Sequence, residues 1–219
     1  MARLRGCALA LLVASIASPA QARRTTHRER TAASPPRRGL DPSHWFASRP
    51  GLMRVYEGRA RPAEGDLPAA GASCEVLESH PRDSLATGTL REQCTMIVAR
   101  KAKPSTELTY ELRKEGIFMV KAKPEGAAAA QEMERLMLPA PVRVGSGWSE
   151  TQGPTQLSRS VKAAGAACKA AGRSFADCLV VSVVQRQGKK TLRKYTETYA
   201  AGVGLVEDAQ WELVDIKGL

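Results

Sequence analysis

The chain predicts a mainly β domain, one antiparallel sheet accompanied by a single helix. Three observations carry this. Apolar and polar residues alternate with a period of two: Leu108, Tyr110 and Leu112 fall on one side, and Thr109, Glu111 and Arg113 on the other, as in a sheet with one wet face. Turn residues recur at short intervals, at Pro81-Arg82-Asp83, Thr87-Gly88, Lys114-Glu115-Gly116, Gln187-Gly188 and Ala201-Gly202. Such connections join antiparallel neighbours and are too short for parallel crossovers. One stretch alone, 126–138, has the composition of a helix.

In chain order, Arg3 and Arg5 precede an apolar run from Cys7 to Ile16, followed by Ser18-Pro19-Ala20-Gln21-Ala22. A basic start, a short apolar core and a small-x-small end are the parts of a secretory signal peptide, here 1–22, cut after Ala22. The run is too short to span a bilayer. Cys7 precedes the apolar core instead of marking the cut, so the expectation is an exported protein, periplasmic or extracellular, without a lipid anchor. The formal charge of the 219 residues is +11. Residues 23–40 read as a disordered basic tail, because Arg23, Arg24, Arg28, Arg30, Arg37 and Arg38 face only Glu29 and there is too little apolar area to offset the entropy of ordering. The tail is either a solvated linker or an attachment to an anionic surface. Nucleic acid is not an expected partner outside the cytoplasm. The chain has no Asn, hence no N-glycosylation acceptor.

The β domain is expected over 41–219. Trp45 and Phe46 are its first core anchors. Strands are expected at 52–58, 73–79, 93–101, 107–113, 116–122, 142–148, 156–164, 177–186, 191–200, 204–207 and 210–217. Residues 60–71, rich in Ala, Gly and Pro, form a soft connection. The helix is expected near 127–138: four alanines, then Gln131 to Met137, ending before Pro139 and Pro141. Met133, Leu136 and Met137 share one face of it, which would pack on the sheet.

Four cysteines follow the signal segment: Cys74, Cys94, Cys168 and Cys178. Export makes them disulfide candidates. Proximity favours Cys74–Cys94, which are symmetric about a hairpin turn near residue 84, and Cys168–Cys178. A tight turn at Ala171-Gly172 would set Cys168 opposite Phe175, so the second bridge needs a bulge or a longer turn.

Catalytic and metal signatures are not found. His27, His44 and His80 lack metal-ligand spacing, no Cys-x-x-Cys is present, and Gly145-Ser146-Gly147 is not a nucleophile elbow. The acidic residues Glu75, Glu78, Glu197 and Glu207 read as wet strand faces. No cofactor is implied.

Two segments resemble a known group. Trp45-Phe46 followed by Pro50-Gly51-Leu52-Met53-Arg54-Val55-Tyr56-Glu57-Gly58 is similar to the opening of small bacterial envelope proteins. Tyr195 to Glu207, with Tyr199, Gly202 and Gly204, resembles their tyrosine-then-Gly-Val-Gly-Leu-Val signature, and Trp148 and the 175–181 strand fit the same arrangement. The group is the LolA/LolB-like one. The resemblance implies a curved half-barrel of about nine to eleven strands with a helix covering its concave side, and members that bind lipids or lipoproteins. Independently of it, Gly202 and Gly204 permit a sharp bend or a close backbone approach. The functional expectation is a non-enzymatic envelope protein that binds an apolar ligand, such as a lipid, or an envelope protein partner. A secreted hydrolase built on His80, Asp83 and Ser79 or Ser84 is one alternative; a structural protein held to an anionic surface by its tail is another.

Overall fold

The computed structural model describes residues 40–59, 70–82, 87–98 and 101–219. The signal segment, the tail arginines from Arg23 to Arg38, and most of the connection 60–71 lie outside the described residues.

Thirteen strands form one sheet: β1 (Met53–Gly58), β2 (Ala70–Arg82), β3 (Thr87–Val98), β4 (Lys101–Ala102), β5 (Thr106–Arg113), β6 (Gly116–Pro124), β7 (Gln131–Pro139), β8 (Gly147–Gln152), β9 (Thr155–Ala170), β10 (Arg173–Gln187), β11 (Lys190–Ala200), β12 (Gly204–Glu207) and β13 (Trp211–Lys217). The order is β7-β6-β5-β3-β2-β1-β13-β12-β11-β10-β9-β8, with β4 paired to β3, and every pairing is antiparallel. The sheet curls into a nearly closed barrel. Its two edge strands, β7 and β8, meet at a seam that Arg135 and Glu150 bridge with a 2.8 Å ion pair. Thirteen strands exceed the nine to eleven expected, because the two-residue β4 and the whole of β7 were not expected as strands.

The predicted helix is not there. Its alanines fall in a turn, where Gly126 has a φ of +79°, and residues 131–139 are strand β7. As a strand, Met133, Arg135 and Met137 alternate with Glu132, Glu134 and Leu136. Helix propensity is a weak preference of tenths of a kcal/mol per residue. Against it stands the edge of β6, whose N–H and C=O groups β7 pairs. Lys121 lies directly opposite Glu132 and pairs with it. Residues 142–146, expected to begin a strand, form a bridge from Val142 to Leu40 and a turn at Gly145, φ +87°. His80, read as part of a turn, belongs to β2.

A lead-in segment crosses one end of the barrel. Trp45 and Leu52 are fully buried. The Trp45 indole donates to Asp177 on β10 at 3.1 Å, His44 sits 2.8 Å from the same carboxylate, and Phe46 packs edge-on against Tyr110 of β5. β5 and β10 lie on opposite sides of the sheet path, so this segment plugs the barrel. Asp177 reaches it from a bulge. Phe175 pairs with Cys168, yet Cys178 pairs with Ala166, so two residues of β10 stand against one of β9. That extra residue lets Cys178 meet Cys168 and turns Asp177 toward the plug. Both disulfides are formed: Cys74–Cys94 across directly paired residues with Cα atoms 4.1 Å apart, and Cys168–Cys178 at 6.1 Å.

Candidate functional site

Inside the barrel above the plug lies a cavity of about 260 Å³. Its walls are chiefly apolar: Phe46 from the plug, Ala72 from β2, Leu108 from β5, Met137 from β7 and Leu205 from β12. Met96, 40 % exposed, and Trp211 also line it. The Cys74–Cys94 bridge lies in the same wall. Cys74, Glu92 and Cys94 converge, but both sulfurs are consumed in the bridge and offer no thiolate to a metal.

Among the described residues, one charged pair faces this space. Arg54 of β1 and Glu92 of β3 form an ion pair, with side chains 8 % and 5 % exposed. Tyr110 donates its hydroxyl to Glu92 Oε2 at 3.3 Å. Arg54 Nε has no partner among the described residues. A buried guanidinium N–H without an acceptor costs free energy until something accepts from it. Tyr56 donates to the Leu205 carbonyl at 2.8 Å. Burial pushes the Tyr110 phenol up to about 12, and raises Tyr56 as well, so both stay protonated at neutral pH.

A second polar chain runs from the seam into the interior. Glu150 of β8 accepts from Arg135 and, at 2.9 Å, from Arg159 of β9; Arg159 Nε lies 3.2 Å from Glu197 of β11; Tyr199 donates to Glu197 at 2.9 Å. Burial, then the Glu197 charge, holds the Tyr199 phenol well above its ordinary value. Tyr199 also lines the apolar cavity, so it joins the two regions. Beside this chain opens a polar cleft that includes Arg193, Tyr195 and Asp208.

Several predicted residues take defined places. Tyr195 is half-buried under the Arg193 guanidinium. Gly202, φ +69°, turns the chain from β11 to β12 and donates its N–H to the His44 carbonyl. Gly204, φ +91°, is a true close approach: a Cβ there would lie 2.8 Å from Arg54 Nη1 and 3.2 Å from the Ala47 nitrogen. Trp148 is partly buried, its indole N–H unpartnered among the described residues. His80 pairs with Glu78 on an exposed stretch of β2; Asp83 and Ser84 lie outside the described residues.

Glu197 corrects the sequence reading. It is buried, 6 % exposed, and not on a wet face. The signal was present, since period two puts Glu197 on the face of Tyr195 and Tyr199. Glu78 and Glu207 do sit outward, paired with Arg91 and Arg59. Arg54, Glu92, Arg135, Glu150 and Arg159 went unremarked in the sequence, because an inward charge in a barrel alternates like an outward one.

No protein-family model and no curated protein matches the chain. Solved structures do. A protein predicted to be exported, with a YmcC-like fold, from Bacteroides fragilis superposes with a TM-score of 0.52 at 14 % identity, over 80 % of this chain and 99 % of that one. A predicted lipoprotein from Parabacteroides distasonis matches with a TM-score of 0.48 at 14 % identity, over 81 % and 100 %. By the first of these, the barrel described above is a YmcC-like fold.

Proposed function

We propose that this is an exported, non-enzymatic envelope protein that holds one apolar chain of a ligand inside its barrel. The observation that carries the reading is the apolar cavity with a single neutralised ion pair in its wall. At about 260 Å³ the cavity lies near the lower end of ligand pockets, which start at about 300 Å³, and suits one apolar chain rather than two. The pairing of Arg54 with Glu92 leaves no net charge for an anion to neutralise. The Arg54 Nε–H therefore suits an uncharged acceptor, such as an ester or amide carbonyl. The lipid-binding implied by the LolA/LolB-like resemblance agrees with this reading.

The test is displacement of the neutral dye N-phenyl-1-naphthylamine. Methyl decanoate should compete well, and decanoate poorly until pH falls far enough to protonate it. Native mass spectrometry of the purified protein should show a copurified acyl compound. If the dye does not bind and no apolar compound copurifies while a stable protein complex does, the ligand reading is wrong and a protein partner takes its place. Equal competition by decanoate and its ester at neutral pH would refute the role given to Arg54.

A further inference from the structure

The barrel end opposite the plug carries a cationic hairpin tip. Residues 186–194, Arg-Gln-Gly-Lys-Lys-Thr-Leu-Arg-Lys, hold five basic side chains and no acid. Arg186, Lys189, Lys190 and Lys194 are exposed, and none is in an ion pair among the described residues. Leu192 stands among them, 39 % exposed. Arg193 fixes the tip to the same rim by donating to the Ala209 carbonyl, 3.4 Å away. Across the mouth, where β3 and β4 end, Lys101 and Lys103 are also exposed. β3 and β10 are six strands apart on the sheet path, so positive charge flanks the mouth on two sides.

We infer that this rim docks on an anionic phospholipid bilayer through the tip of the β10–β11 hairpin, with Leu192 entering the headgroup boundary. An unpaired basic cluster concentrates anionic headgroups, each Lys or Arg near the surface strengthening binding roughly fivefold. A leucine in its midst distinguishes a bilayer from a soluble polyanion, which has no apolar layer to receive it. Docking in this way sets the unplugged mouth against the membrane. The inference stands apart from the cavity reading, since attachment is measured without any cavity ligand.

The experiment is flotation of the exported chain, residues 23–219, with vesicles of equal parts phosphatidylglycerol and phosphatidylcholine, against pure phosphatidylcholine. Binding should require phosphatidylglycerol and vanish at about 1 M salt, where screening falls to roughly 3 Å. Lys189→Glu/Lys190→Glu should weaken it by at least about 25-fold. Lys114→Glu/Lys217→Glu makes the same change in net charge at the plug end, where Lys114 turns the chain from β5 to β6 and Lys217 ends β13 opposite Met53, and should leave binding within about twofold. Leu192→Ser should weaken it roughly tenfold. All these side chains are exposed, and unchanged thermal unfolding will confirm that each variant is folded. Unaltered binding of Lys189→Glu/Lys190→Glu overturns the inference in favour of attachment elsewhere, the basic tail included. Equal losses in the two double variants reduce it to net charge. An unaffected Leu192→Ser excludes the bilayer as the partner.

Discussion

Replacing Arg54 by Met isolates the charge buried in the cavity wall. Glu92, its side chain 5 % exposed, would keep only the Tyr110 hydroxyl at 3.3 Å as a partner among the described residues. Breaking one side of a buried pair costs about 3–5 kcal/mol, because a charge stays desolvated without its counterion. Glu92→Leu strands the guanidinium in the same way and should cost a similar amount. The double variant Arg54→Met/Glu92→Leu removes both desolvation penalties and keeps the volume, so it should lie within about 1 kcal/mol of the parent or above it. The assay is urea unfolding under non-reducing conditions. With a slope of about 2 kcal/mol/M, each single variant should lower the midpoint by about 2 M, and the double variant should restore it. A single variant that loses less than about 1 kcal/mol, or a double variant whose loss is the sum of the two, would refute the claim that the pair is a mutually compensating buried unit.

Gly204→Ala should destabilise by about 2–3 kcal/mol, combining left-handed backbone strain with a clash against Arg54 and Ala47, whereas Gly202→Ala, whose Cβ would meet nothing within 4 Å, should lose only the backbone part, about 1–2 kcal/mol; equal losses would remove the packing role given to Gly204. Stability should fall at high pH: the native fold retains the Tyr110 proton up to about 12 while the unfolded chain releases it near 10, so stabilisation present below pH 10 is lost at about 1.4 kcal/mol per pH unit as pH climbs toward 12, with Tyr199 adding to the slope. Phenolate absorbance read beside alkaline unfolding checks this, and a native protein whose four tyrosines all ionise near pH 10 would contradict it. Removing the disulfides, with sequence separations of 20 and 10, as Cys74→Ala/Cys94→Ala and Cys168→Ala/Cys178→Ala should cost about 3.3 and 2.7 kcal/mol by loop closure, measured by the same urea titration.

Strand periodicity was readable because alternation along a strand is local: Leu108 and Tyr110 face the interior and Glu111 and Arg113 pair on the outside as their spacing required. Short turns dictated antiparallel neighbours, and the symmetry of Cys74 and Cys94 about one hairpin placed them opposite each other. The same arithmetic demanded an irregularity before Cys168 could meet Cys178, and β10 supplies it at Ala176-Asp177. What local pattern could not report was which groups meet over an intervening strand. Arg54 of β1 reaches Glu92 of β3 over β2, and Arg159 of β9 reaches Glu197 of β11 over β10; the members of each pair are far apart in sequence, so only the strand order of the curled sheet brings them together. Nor could composition anticipate β7. Residues 131–138 prefer a helix in isolation by a small margin, whereas the exposed edge of β6 and the interior space for Met137 exist only once the sheet has curled. Propensity acts over tenths of a kcal/mol per residue and pairing over a whole strand edge, so the tertiary structure decided that segment, the closure at Arg135–Glu150 and the cavity the two seam strands help enclose.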